Sequence, residues 1–212
     1  MEGWFDFGHP QIVAYILSEA LSSYEKALGN QNKVNRYNIN EQLRWGKEYV
    51  QTYGKTLLPK GRYRFNKEPY FNQSELKEVV PQCELVFLIS HSEGPDEELL
   101  LLLKTAFMDG TRQYIRKQML PTLYKACFGK NLAYCSPCFG PGLFSTPMSM
   151  MREYYRYLKI QPDLAYLDGD MLTPMSSFIG AVYGLEKPLS VSACATCQGQ
   201  RNCQFCMLEH EK

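Results

Sequence analysis

Histidine is scarce in this chain, 3 among 212 residues, and none of them falls within the segment Cys194 to Cys206. A ligand set drawn from that segment would therefore be all sulfur. Charge of one sign is missing too, since 23 lysines and arginines face 22 aspartates and glutamates without a strong block of either. That balance gives no electrostatic footprint for nucleic acid or anionic lipid. Long apolar runs are also absent. Leu85 to Ile89 and Leu99 to Leu103 are far shorter than a bilayer span, and Met1-Glu-Gly-Trp-Phe has neither the basic start nor the apolar core of a signal peptide. These features lead to the expectation of a cytoplasmic protein with no nucleic-acid or membrane partner.

What is present is sulfur. Eight cysteines in a chain without a secretion signal fit reduced thiols and metal ligation better than a disulfide framework. Four of them, Cys194, Cys197, Cys203 and Cys206, fall within thirteen residues as two Cys-x-x-Cys pairs. Each pair lets two sulfurs converge across a tight turn, and Gly199 and Asn202 supply turn freedom between the pairs. An all-sulfur ligand set selects soft centres, zinc or an iron-sulfur cluster, and spacing does not separate the two. Disulfides or free thiols are the alternatives. Cys135 and Cys138 form a third Cys-x-x-Cys, read as unligated thiols or else a redox pair or second centre, and Cys83 and Cys127 read as small core residues.

Apolar content of 45% suffices for a real core. Pro10 to Leu28 carries apolar residues at spacings of three and four, predicting an amphipathic helix, and a weaker helix is expected over Glu41 to Tyr53. Gly54 to Asn72, basic, aromatic and punctuated by proline and glycine, reads as an extended or loop-rich connection. Its Lys60-Gly-Arg-Tyr-Arg-Phe run reads as a solvated surface. Glu84 to Ile89 predicts a buried strand, followed by a polar turn that holds His91 as a loop histidine, then a helix capped by Asp96 and running to Met108. Asp109-Gly110 is expected to break or kink it before a helical pattern resumes over Thr111 to Cys127, bent at Pro121.

Further on, Tyr134 to Pro147 is rich in turn formers and leads to a helix with Thr146 as cap and Pro147 at its first position. Asp163 to Leu167 reads as a strand, Asp168-Gly-Asp170 as a solvated turn rather than a catalytic or hard-metal pair, and Ser177 to Leu185 as a second strand. The methionines of this region read as core.

The order Ser136-Pro-Cys-Phe-Gly140, a proline-started helix, Leu167-Asp-Gly-Asp-Met-Leu-Thr-Pro-Met-Ser-Ser177-Phe-Ile-Gly180 and a Cys-x-x-Cys tail resembles the activation domain of cobalamin-dependent methionine synthase. More closely it resembles the stand-alone bacterial proteins built on that domain, which occur beside corrinoid methyltransferase systems. The likeness covers roughly Glu84 to Cys206. It implies an α+β fold, a twisted, mainly antiparallel sheet flanked by helices, here with a C-terminal cysteine-rich metal-binding tail. Residues 1–80 would then form an N-terminal helical region packed on an activation-domain-like unit over 81–192, and 193–212 the tail.

The resemblance also implies binding of S-adenosylmethionine and docking on a cobalamin domain, where cob(II)alamin is reduced and trapped by methyl transfer. The family's Arg-x-x-Pro-Gly-Tyr motif falls on Tyr134, Pro137, Cys138 and Phe139, so arginine, glycine and tyrosine are replaced. Loss of a guanidinium removes the bidentate partner of a substrate carboxylate. Pro174 and Ser177 keep the later motif, expected to line the same cleft. No Asp-x-His-x-x-Gly pattern supplies a cobalt ligand, so cobalamin would come with the partner.

The reading that unites these features is an accessory protein that docks on a corrinoid protein or cobalamin-dependent methyltransferase. It would draw on a low-potential electron donor and hold a 4Fe-4S cluster on Cys194, Cys197, Cys203 and Cys206. The alternatives are a non-catalytic corrinoid-protein binding module with structural zinc, and an S-adenosylmethionine-binding activation protein.

Overall fold

Two long paired strands, one in the middle of the chain and one near its end, form the centre around which the helices pack. The structure is a computed structural model and describes residues 1–31, 39–91, 98–144 and 146–189. In chain order the regular elements are β1 (Glu2–Trp4), α1 (Pro10–Gln31), α2 (Ile39–Tyr53), β2 (Lys60–Asn66), β3 (Pro81–Ser90) and α3 (Glu98–Tyr114). They continue with α4 (Leu120–Phe128), β4 (Tyr134–Cys135), α5 (Met151–Leu158), β5 (Tyr166–Asp168), β6 (Met171–Thr173) and β7 (Ser177–Leu185). The main sheet has the order β1-β2-β3-β7-β4, and β5 and β6 form a separate hairpin. Every pairing among these strands is antiparallel. The fold is α+β, a mainly antiparallel sheet flanked by helices.

Strand β3 is almost wholly apolar because both of its faces are covered, whereas a half-exposed strand would alternate. Leu85, Phe87 and Ile89 pack with Ile16, Ala20 and Tyr24 of α1 and Leu103 and Phe107 of α3. Val86 and Leu88 pack on the other side with Met151, Tyr154 and Leu158 of α5. Strand β7 divides the same way, Val182 toward α1 and α3, and Ile179, Ala181 and Tyr183 toward α5. Strands β1 and β2, from the first 66 residues, pair in the same sheet as β3.

Several expectations are met closely: the helix from Pro10, the helix ending at Tyr53, and the strand Ser177–Leu185. Others need correction. The run from Lys60 is strand β2, with Tyr63 and Phe65 turned to the core and Arg64 on the opposite side, where its guanidinium lies 4.6 Å from the Tyr157 ring. No break occurs at Asp109-Gly110, because α3 runs through both. The glycine serves packing. A Cβ there would sit 2.7 Å from the Ile16 carbonyl oxygen and 2.9 Å from the Ala20 nitrogen, so only glycine lets α3 approach α1 this closely. Its neighbour Asp109 accepts hydrogen bonds from Ser23 of α1 and from Arg112.

The bend expected at Pro121 takes the form of a π-helical turn over Ile115–Met119, which leads into α4 with the proline in its first turn. A proline there has no amide hydrogen to place, so the wider turn absorbs the mismatch. Thr146 caps no helix. Its hydroxyl donates to Gln73 Oε1 at 2.8 Å, and the chain passes through a 3-10 turn at Met148–Met150 before α5 begins. The strand expected over Asp163 to Leu167 starts later, at Tyr166, after the amides of Leu164 and Ala165 have turned back onto the Gln161 carbonyl. Gly169, at φ 62°, makes the hairpin turn to β6, and the Asp170 carboxylate pairs with Arg152 at 2.9 Å. The proposed cap Asp96 lies outside the described residues.

The α1 and α3 contact supplies a prediction. Replacing Gly110 with alanine forces apart two backbones that cannot yield locally. It is expected to cost about 1–3 kcal/mol of stability, as overpacking does, read as a lower urea midpoint at unchanged slope. A midpoint equal to or above that of the parent protein would contradict the packing role.

Candidate functional site

The candidate positions are carried by the last core strand and its neighbours. Tyr134 pairs with Leu185 and Cys135 with Gly184 at one end of β7, and the segment then follows β7 back until Phe139 bridges to Ala181. Close approach is built into the sequence, since a Cβ on Gly180 would stand 2.2 Å from the Phe139 carbonyl oxygen and one on Gly140 2.5 Å from that of Ile179. Ser177 opens β7 at its opposite end, beside Ser90 at the end of β3, and the two hydroxyls are 2.8 Å apart.

The six positions drawn from the resemblance therefore separate along the strand. Tyr134 is 46% exposed. Phe139 is fully buried, its ring 4.5 Å from Phe144 and edge-on to Tyr183 at 5.7 Å, and belongs to the core on the α5 side. Cys138 faces the other way, against the α1 and α3 core, and Pro137 accepts a hydrogen bond from the Ser136 hydroxyl at 2.7 Å. Pro174 follows a cis peptide bond and lines a cleft of about 310 Å³ with Lys60, Ser90, His91, Asp163 and Tyr166. Ser177 does not line that cleft itself and adjoins it through Ser90.

Cys83, Cys127, Cys135 and Cys138 are free thiols. Burial pushes Cys135 and Cys138 up to about 11, even though the Arg116 charge lowers both and Arg112 lowers Cys138 further. At neutral pH such thiols carry their protons, which suits neither metal ligation nor nucleophilic attack. Cys83, fully buried, is pushed up to about 12 by the same cause. Among the described residues no group of three or more histidine, cysteine, aspartate or glutamate side chains is arranged to hold a metal ion. Cys194, Cys197, Cys203 and Cys206 lie outside the described residues.

Two buried polar residues carry more of the local electrostatics than the sequence suggested. Glu84 is fully buried in β3 and receives three hydrogen bonds: from Asn66 Nδ2 at 2.7 Å, the Tyr70 amide at 2.9 Å and the Phe71 amide at 3.1 Å. Burial raises its carboxyl above the usual range, and the three donors pull the other way. The network continues as Tyr157 donates to Asn66, Tyr183 donates to the Phe71 carbonyl, and Gln73 Nε2 donates to the Tyr154 and Tyr183 hydroxyls. Phe71 and Gln73 also line an open cleft of about 670 Å³ with Pro69, Leu76 and Val80. The one signal available in advance was an acid placed inside an otherwise apolar strand.

His91 is the second: it follows β3 as the expected loop histidine, but it is buried. It is 4% exposed, its amide donates to the Ser176 carbonyl at 3.0 Å, and its Nε2 is buried without a partner. Burial first, and the nearby Lys104 charge second, lower it to about 4, so the ring is neutral at physiological pH.

Among the described residues no helix is long and apolar enough to cross a membrane. No protein-family model matches the chain, and no curated protein sequence matches it significantly.

Proposed function

We propose that this protein is an iron-sulfur accessory protein that docks on a corrinoid protein or cobalamin-dependent methyltransferase and supports reductive reactivation of its cobalamin. The observation that carries this reading is the donor set Cys194, Cys197, Cys203 and Cys206, four thiols in two close pairs with no histidine among them. Such a set suits a 4Fe-4S cluster, which would supply a one-electron couple in the low-potential range that cob(II)alamin reduction needs; zinc has no such couple. The α+β architecture is compatible with the resemblance that suggests the partner. The electron would come from a low-potential donor and pass to cobalt on the partner, so this chain supplies docking and the thiolate ligands.

Three of the other cysteines are poorer ligand candidates than the tail, because buried Cys83 and half-buried Cys135 and Cys138 have thiols pushed well above their ordinary range by desolvation. Nothing in the arrangement favours the S-adenosylmethionine reading over this one. Tyr134 stands where the carboxylate-binding arginine belongs, and Phe139 is packed into the core.

Anaerobic purification with iron and sulfide analysis tests the proposal. About four iron and four sulfide per chain are expected, together with broad visible absorption and an electron paramagnetic resonance signal on dithionite reduction. Cys203→Ser should lose the signal. Zinc alone, with no visible absorption, would replace the conduit with the structural clip.

A further inference from the structure

Buried polar atoms in folded proteins nearly always have a partner, so a cluster of atoms that lack one within the protein calls for a water, an ion or a ligand. Among the described residues four such side-chain atoms occur: His91 Nε2, Arg112 Nε, Gln113 Oε1 and Arg116 Nε. Three of the four belong to a single turn at the end of α3, where the helix widens into the π-helical turn of Ile115–Met119. Wide turns of this kind recur at functional sites, and leaving three buried groups unsatisfied for no return would be costly.

The two guanidiniums differ in how far they are neutralised. Arg112 Nη2 meets Asp109 Oδ1 at 3.1 Å, and its guanidinium carbon lies 4.9 Å from the Phe178 ring of β7. Asp109 is shared, since it also accepts the Ser23 hydroxyl. Arg116 makes no ion pair among the described residues. Arg112 thus lies between the end of α3 and β7, and both charges act on Cys138 in the neighbouring segment. Further along α3, Lys104 is only 7% exposed, which adds a buried cation to the same helix. Two N–H donors on cations, with a single shared carboxylate to balance them, select an oxyanion. Gln113 Oε1 adds an acceptor for a donor group on the same molecule.

We infer that Arg112 and Arg116, with Gln113 and Phe178, form a binding site for a small organic oxyanion, a carboxylate or a phosphate. The site lies on the α3 side of the sheet, opposite the face that holds Phe139. It is independent of any metal centre and of the proposed corrinoid partner.

Thermal unfolding of the full chain in inorganic phosphate or in acetate, each against sodium chloride at matched ionic strength, tests the inference. At about 20 mM the preferred anion is expected to raise the midpoint by at least about 2 °C over chloride. A response to phosphate alone assigns a phosphate ligand, and a response to acetate alone assigns a carboxylate. Arg116→Gln, checked for folding by circular dichroism, should abolish the rise; Arg112→Gln serves if that variant does not fold. No rise beyond chloride in either anion overturns the site, and an equal rise in parent and folded variant reveals an adventitious ion only.

Discussion

Glu84→Ala is expected to remove about 3–5 kcal/mol of stability, a large part of what a domain of this size possesses. The carboxylate is the common acceptor for Asn66 and for the amides of Tyr70 and Phe71, so its loss strands two backbone donors and an amide group inside the protein. Backbone donors cannot rotate toward water, and the connection from β2 to β3 is tied to the sheet by these bonds. Glu84→Gln keeps the shape and one acceptor but sets an amide group against donors from Asn66 and Tyr70. It should cost less, about 1–3 kcal/mol. Urea unfolding of the parent and both variants checks the order. Equal midpoints for all three would mean that the network contributes nothing and that solvent satisfies the donors. The loop carrying Phe71 should also loosen, read as faster amide exchange at Tyr70 and Phe71 in the glutamine variant.

The run Leu85 to Ile89 announced a buried strand because burial of both faces leaves an unbroken apolar signature, and β7 showed the same pattern. Strand β2 was harder, although Tyr63 and Phe65 alternate with Arg62 and Arg64. Its basic side chains and the flanking prolines imitate a solvated loop, and only pairing with β1 and β3 fixes it as a strand. Gly110 has the local signature of a break, and the reason it is not one lies in α1, almost a hundred positions away in the chain. The same logic governs the candidate cleft. Tyr134 and Ser177 belong to motifs that are close in a family pattern, yet β4 pairs with the far end of β7, so strand length keeps them apart. Spacing within one loop is legible in a sequence; separation along a paired strand depends on register. The burial of His91 follows from register as well, through its amide bond to Ser176.

Acid is expected to destabilise the protein through His91, and the effect is separable. In the unfolded chain the ring takes a proton below about pH 6.5, whereas in the folded protein it remains neutral down to about 4. The unfolded state therefore binds more protons through this interval. The contribution is fully present above pH 6.5 and is lost as pH falls toward 4, to a total of roughly 3 kcal/mol. Glu84 works in the opposite sense. Its raised carboxyl favours the protonated fold, so its own effect weakens the protein as pH rises through the ordinary carboxylate range. The parent's total slope mixes the two, and the difference between parent and His91→Leu isolates the histidine. That difference should shift by roughly 3 kcal/mol against the parent between pH 7 and pH 4. Parallel curves would show that the ring is solvated or paired when folded. Lys104→Met offers a finer check. Removing the second of the two causes should move the His91 titration upward and narrow the acid-sensitive interval, while burial, the larger cause, keeps the ring below its ordinary value.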